Sequence, residues 1–188
     1  MHVLEADSDE APRASLQLPA ALDSLVFLRG RGVDARSRST LGERVTVFCD
    51  EVNPPRPDFF SAGLAPVVSP RFLAALDALG VDNHETYTAI IEDLEGEVSI
   101  SEHRVLNVIG RVASVDLERS RYNSFEGVLF KLETMRLRGG CDSDVLMFRP
   151  DEWPLVILVR DEVAEGLRQA GLTGLRLTPV DEWENLDF

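Results

Sequence analysis

Apolar positions change their period along the chain, and the clearest change occurs twice. Pro66-Val67-Val68 is a short apolar run, followed by Ser69 and Pro70. Phe72, Leu73, Leu76 and Leu79 then recur at helical spacing up to Gly80. A serine hydroxyl can take up N–H groups of a first helical turn, and proline fits that turn because it has no N–H to leave unpaired. Glycine tolerates the left-handed φ that closes a helix. The pattern predicts a strand at 66–68, a helix over 70–79 and a strand over Thr86–Ile91. Near the other end, Leu155–Val159 is strand-like, and Asp161 and Glu162 put negative charge where a helix dipole favours it. Val163, Leu167 and Ala170 form an apolar face that Gly171 terminates, and Leu175–Val180 is again strand-like. Two strand-helix-strand units are thus expected, at about 66–91 and 154–180. A shift of 91 residues lays Val68 on Val159, Leu76 on Leu167 and Gly80 on Gly171, and a one-residue gap then brings Thr88 onto Thr178. The pair reads either as two generic units or as a pseudo-duplication.

The remainder is richer in strand signals. Residues 1–20 read as a leading segment, loosely ordered at its tip. Leu25–Leu28 reads as a short strand, and the Arg- and Ser-rich stretch 33–44 as an exposed loop. Val45–Cys49 has the β-branched content of a strand, and Asn53–Pro57 is a proline-rich loop anchored by Phe59 and Phe60. Val105–Asp116 alternates with a fault at Gly110 that suggests a bulge. Val128–Arg138 places Val128, Phe130 and Leu132 on one face, while Met135 and Leu137 fall on the other. Either the phase slips or both faces are covered. Val145–Phe148 is a further strand, and Asn123, Ser124, Gly127, Gly139 and Gly140 suit turns. The fold class expected is α+β: a mainly antiparallel sheet covered by two or three short helices, in a single domain over 1–188.

Composition narrows the function classes. Among 188 residues, 44% are hydrophobic and 28% charged, and 33 acids against 19 bases give a net charge of −14. A surface of that sign repels phosphates, which disfavours nucleic acid and anionic membrane as ligands. No apolar run approaches the roughly 18 residues of a spanning helix, and the first residues lack the order of a signal peptide, so a cytoplasmic location is expected. Cys49 and Cys141 are then reduced thiols, Cys49 in the core and Cys141 in an exposed turn. His84 and His103 stand in no zinc-ligand pattern and read as solvated loop histidines. Gly30-Arg31-Gly32 lacks the lysine of a phosphate loop, so neither metal nor cofactor is called for. A Cys-His-acid hydrolase built from Cys49 or Cys141 with His84 or His103 stays open as an alternative. Glu92, Asp93, Glu95 and Glu97 read as a solvated acidic turn, with paired-acid chemistry as the alternative.

The tripeptide Asp-Glu-Trp occurs twice, at Asp151-Glu152-Trp153 and Asp181-Glu182-Trp183. Each tryptophan either offers its ring to a partner or caps the core while its acids face water. Residues 142–188 carry eleven acids and four arginines, a field that suits a basic partner. These six residues are the candidate partner-binding set.

The run Phe148–Val180, with its Phe-Arg pair, apolar strand, short helix and Gly171-Leu172-Thr173-Gly174 turn, resembles the closing signature of the eleventh immunity family of bacterial polymorphic toxin systems. Residues 68–87 and 104–122 resemble further pieces of it, and the resemblance covers roughly 66–180. It implies a non-catalytic antidote that binds and neutralises a cognate secreted toxin, with no catalytic residue to carry over. The acidic balance suits a basic toxin such as a nuclease. A regulatory binding module unrelated to toxins is the other alternative.

Overall fold

The computed structural model describes residues 1–23, 25–42, 44–50, 56–93, 96, 98–139 and 144–185. Six strands close a barrel in the order β2 (Ala14–Gln17), β3 (Arg44–Cys49), β6 (His84–Glu92), β7 (Val98–Val108), β5 (Ala65–Val68), β4 (Phe59–Ala62). A parallel bridge between Ala14 and Ala62 shuts the ring. Alternation fills it: Val45, Val47, Phe60, Val67, Tyr87, Ala89, Ile91 and Val105 point to one buried cluster. A second sheet runs β13 (Leu175–Pro179), β1 (His2–Ala6), β12 (Ile157–Val159), β11 (Met147–Pro150), β8 (Arg111–Val112). Pairing is mostly antiparallel, and three α-helices lie among the described residues: α1 (Ala35–Leu41), α2 (Pro70–Ala78) and α3 (Asp161–Gln169). The fold is α+β with short helices, as the periodicity predicts. Among the described residues, no helix is long and apolar enough to cross a membrane.

The two strand-helix-strand units exist, and their geometry is shared. In each, the flanking strands are parallel with one antiparallel strand between them: β7 separates β5 from β6, and β1 separates β12 from β13. The row Val68–Arg104–Thr88 matches Val159–His2–Pro179, and Val67–Val105–Tyr87 matches Leu158–Val3–Thr178. The offset of 91 therefore holds through both flanking strands, and the one-residue gap in the sequence alignment is not needed. Ser69 caps α2 by accepting from the Phe72 N–H, whereas Arg160 at the start of α3 supplies no side-chain cap. Phe72 and Leu76 of α2 share one cluster with Val163 and Leu167 of α3, between the barrel's outer residues Val68, Leu106 and Val108 and the sheet's Leu4, Ile157 and Val159. The helices approach so closely at Gly166 that a Cβ there would sit 2.3 Å from the Leu79 side chain.

Several expectations are corrected. The leading segment is not loosely ordered: β1 is a central strand, with Val3 buried on one face and Leu4 on the other. Residues 26–28 form a buried 3-10 turn, not a strand, and 35–41 form α1, whose Asp34 accepts from the Arg36 and Ser37 N–H groups. An apolar run of four carries no period, and an aspartate before a helix looks like a loop residue until its capping bonds are seen. Gly110 marks no bulge. The chain leaves the barrel there and enters the second sheet, with the Gly110 N–H on the Gly30 carbonyl and the Arg149 N–H on the Gly110 carbonyl. The predicted turn at Gly140 and Cys141, the Asn53–Pro55 part of the proline loop, and Glu95 and Glu97 lie outside the described residues.

Candidate functional site

The second sheet buries both its faces. Ile157, Val159 and Met147 look toward the helices. Leu158, Phe148 and Val3 look the other way, into a cluster that holds both candidate tryptophans. Trp153 is 6% exposed and Trp183 3%, so each ring caps the core and neither is offered to solvent. Two of the four acids beside them are accounted for locally. Asp151 pairs with the Arg111 Nε at 2.7 Å. Glu152 pairs with Arg138 at 2.8 Å and accepts from the Ser114 and Val115 N–H groups. The Asp181 carbonyl accepts from Arg136 at 3.0 Å, while its side chain and that of Glu182 are exposed. The repeated tripeptide is thus a platform, with both rings inside, Asp151 and Glu152 paired with arginines, and Asp181 and Glu182 facing solvent.

What the platform holds is a two-stranded hairpin, β9 (Arg121–Phe125) and β10 (Val128–Thr134). Its root is buried through Leu132, with Met135 just beyond it, and is stitched to the platform by the Asn185 N–H on the Glu133 carbonyl. Its tip is different. Phe125 is 70% exposed, Val128 68% and Phe130 60%, and Tyr122 is also exposed. Phe125 and Val128 face each other across the turn, and Phe130 sits at a register shift between Leu129 and Lys131. That shift breaks the alternation, so Phe130 is exposed while Leu132 is buried, and a second shift between Leu132 and Thr134 is the phase slip that the sequence pattern shows before Met135. The turn is Glu126-Gly127, both at positive φ, which gives the twist that two-residue hairpin loops need. Glu126 is the sole non-glycine residue at positive φ among the described residues. A hairpin alone is marginal in water, and large apolar side chains at a held tip mark a contact surface. The exposed tip is the residue set that the charge-led reading missed. Its signal was Gly127 with Phe125, Val128 and Phe130 around it, whereas Asn123 and Ser124, expected in a turn, lie in β9.

The groups proposed for chemistry are placed apart from this tip. His84 opens β6 and is partly buried, so it is not a loop residue. The parallel register of β3 and β6 puts Cys49 beyond Glu92, roughly 30 Å along the strand from His84. Cys49 is buried among the barrel's apolar residues. His103 lies in β7 with its ring against Phe60 and its Nε2 3.0 Å from the Pro57 carbonyl, and burial pushes its pKa down. Among the described residues, no three His, Cys, Asp or Glu side chains converge as metal ligands.

The motif that carried the family resemblance has a structural task. In the Gly171–Gly174 turn, the Thr173 N–H and hydroxyl both reach the Asp58 carboxylate, at 3.0 and 3.3 Å. Asp58 also accepts from the Ser69 hydroxyl at 2.6 Å and from Arg71 at 2.9 Å. One carboxylate therefore ties the barrel entry, the start of α2 and the turn between α3 and β13 together. Gly174 has φ +76, and a Cβ there would lie 2.3 Å from the Phe59 carbonyl, so only glycine fits.

In comparisons with known proteins, no family model and no curated protein matches the chain.

Proposed function

We propose that this protein acts by binding another protein through the tip of the β9–β10 hairpin, and that the partner is a secreted bacterial toxin which it neutralises in the cytoplasm. The observation that carries the reading is the exposure of Phe125, Val128 and Phe130 on a hairpin whose root is fixed in the core. Apolar and aromatic side chains presented on a rigid support supply the desolvated centre of an interface. The resemblance of residues 66–180 to the eleventh immunity family adds the partner class. The net charge of −14 suits a basic partner, because opposite charge speeds encounter while the apolar centre slows dissociation.

The test is growth rescue. The reading expects a large secreted protein to be encoded beside this gene, and its C-terminal domain is expressed alone and with this chain. The reading expects arrest by the domain and rescue by the wild type. A folded F125S/V128S/F130S variant should fail to rescue. Equal rescue by that variant, or a neighbouring domain without toxicity, would refute it.

A further inference from the structure

The hairpin has two edges, and they differ. The root of β10 is covered, by the Asn185 N–H on the Glu133 carbonyl and a bridge between Thr134 and Glu184. Among the described residues, β9 pairs with β10 alone, and all its residues are exposed. The register fixes which of its backbone groups are free. A two-residue turn makes Phe125 and Val128 a hydrogen-bonded pair. Ser124 opposite Leu129 and Tyr122 opposite Leu132 therefore turn their N–H and C=O groups away from β10.

Native proteins blunt exposed edges with lysine, proline, a bulge or a covering segment. β9 contains no lysine or proline, and both register shifts place their extra residue in β10. The edge is also self-complementary. When two β9 strands lie antiparallel about Asn123, Tyr122 of each copy meets Ser124 of the other. These are the residues whose backbone groups point outward, so both pairs can exchange hydrogen bonds. On one face Arg121 of each copy lies opposite Phe125 of the other, within reach of a cation–π contact. The turn brings Glu126 to the Arg119–Arg121 end of the other copy, where the charges are opposite. Residues 121–134 carry two acids and two bases, so the pairing surface is neutral although the chain stands at −14.

We infer that two copies of this chain associate through β9, antiparallel about Asn123, to form a four-stranded sheet across a two-fold axis. The edge adjoins the tip proposed for toxin contact, but the dimer does not rest on that reading. A strand of this length falls short of the roughly 20–30 residues a side of a stable interface, so the association is weak, with a Kd of about 10–100 µM.

The test is sedimentation equilibrium of the whole chain from about 5 to about 500 µM, at about 0.15 M salt to screen the net charge. Mass per particle should rise from one chain toward two. Ser124→Pro removes an outward N–H that β10 does not use, so it should leave Tm within ~2 °C and weaken the dimer at least about tenfold. Asn123→Cys, in a chain that also carries Cys141→Ser, decides if the proline variant does not fold. In this register the two copies of residue 123 face each other with Cα atoms about 4.5 Å apart, inside disulfide range. Asn123→Cys should cross-link under mild oxidation at least about tenfold faster than Val128→Cys in the same background, although Val128 is 68% exposed. Particles of one chain at all concentrations, a dimer untouched by folded Ser124→Pro, or equal cross-linking by the two cysteine variants would overturn the proposal. A monomer whose Ser124→Pro variant binds the toxin more weakly would give the edge to the toxin instead.

Discussion

Asp58→Asn is the substitution whose cost the structure defines best. The carboxylate is almost fully buried and accepts four hydrogen bonds, from Ser69, Arg71, and the N–H and hydroxyl of Thr173. Asparagine keeps one acceptor oxygen and turns an N–H₂ toward donors that need an acceptor. Hydrogen bonds to a charged group contribute about 1.5–3 kcal/mol each, so losing the better half of this set should cost about 3 kcal/mol. For a chain of this size that is a fall in Tm of roughly 6–12 °C, measured by calorimetry at pH 7. The pH dependence is the sharper part. Burial alone would push the Asp58 carboxyl up, but the bonds from Ser69 and Thr173 and the Arg71 charge outweigh it and hold its pKa below the ordinary value of 3.8. The folded pKa is thus depressed. Its contribution is complete above about pH 4 and is lost as pH falls through the folded value. The Tm difference between wild type and Asp58→Asn should be constant from pH 7 to 5 and shrink below pH 4. A cost under about 1 kcal/mol, or a difference that persists undiminished at pH 2.5, would refute the account of this junction.

Gly174→Ala should lose at least ~2 kcal/mol in chemical denaturation, since the new Cβ would meet the Phe59 carbonyl at a left-handed φ. Trp153→Ala and Trp183→Ala should each destabilise the fold by about 3–5 kcal/mol, with any loss of partner binding tracking the unfolded fraction. Tyr87 has its pKa pushed up to about 12, by burial and by its hydrogen bond to Glu85, so ultraviolet titration of the folded protein should show a phenol ionising near there. Because the folded value is raised, stability tied to Tyr87 is present below pH 10 and is lost as pH rises from about 10 toward 12. Tyr87→Phe should lose less stability over that interval.

The periodic elements were legible in the sequence because burial imposes a period. The two helices, their glycine stops and the flanking strands all follow from one apolar face each. The duplication was legible as an offset, and the register of β5–β7–β6 against β12–β1–β13 shows that it extends further than the alignment did. Of the two inserted strands, β1 was not legible, while β7 was legible only from Val105 on. Nothing in residues 2–6 announces pairing with strands more than 150 residues away, and β1 reads as a polar leader until both its neighbours are in place. The candidate site was half legible. Asp-Glu-Trp was visible as a repeat, but whether its rings face solvent depends on tertiary packing against Val3, Phe148 and Leu158. The hairpin tip was hidden for a related reason: at the register shift near Phe130, alternation alone assigns Phe130 and Leu132 to the same face, while the structure exposes one and buries the other.

The central claim is that the hairpin tip, and not the acidic platform, carries recognition. The most direct measurement is the affinity of the proposed toxin partner for wild type, for F125S/V128S/F130S and for D151N/E152Q/D181N/E182Q, with Tm recorded for each. Aromatic anchors at an interface centre contribute about 2 kcal/mol or more apiece, so the triple serine variant should bind at least 1,000-fold more weakly, at a Tm close to wild type. The four acid neutralisations should slow association and flatten its salt dependence, and should also lower Tm, since Asp151 and Glu152 lose their arginine pairs. Unchanged affinity in a folded triple variant, with binding abolished by neutralising the acids, would contradict the account.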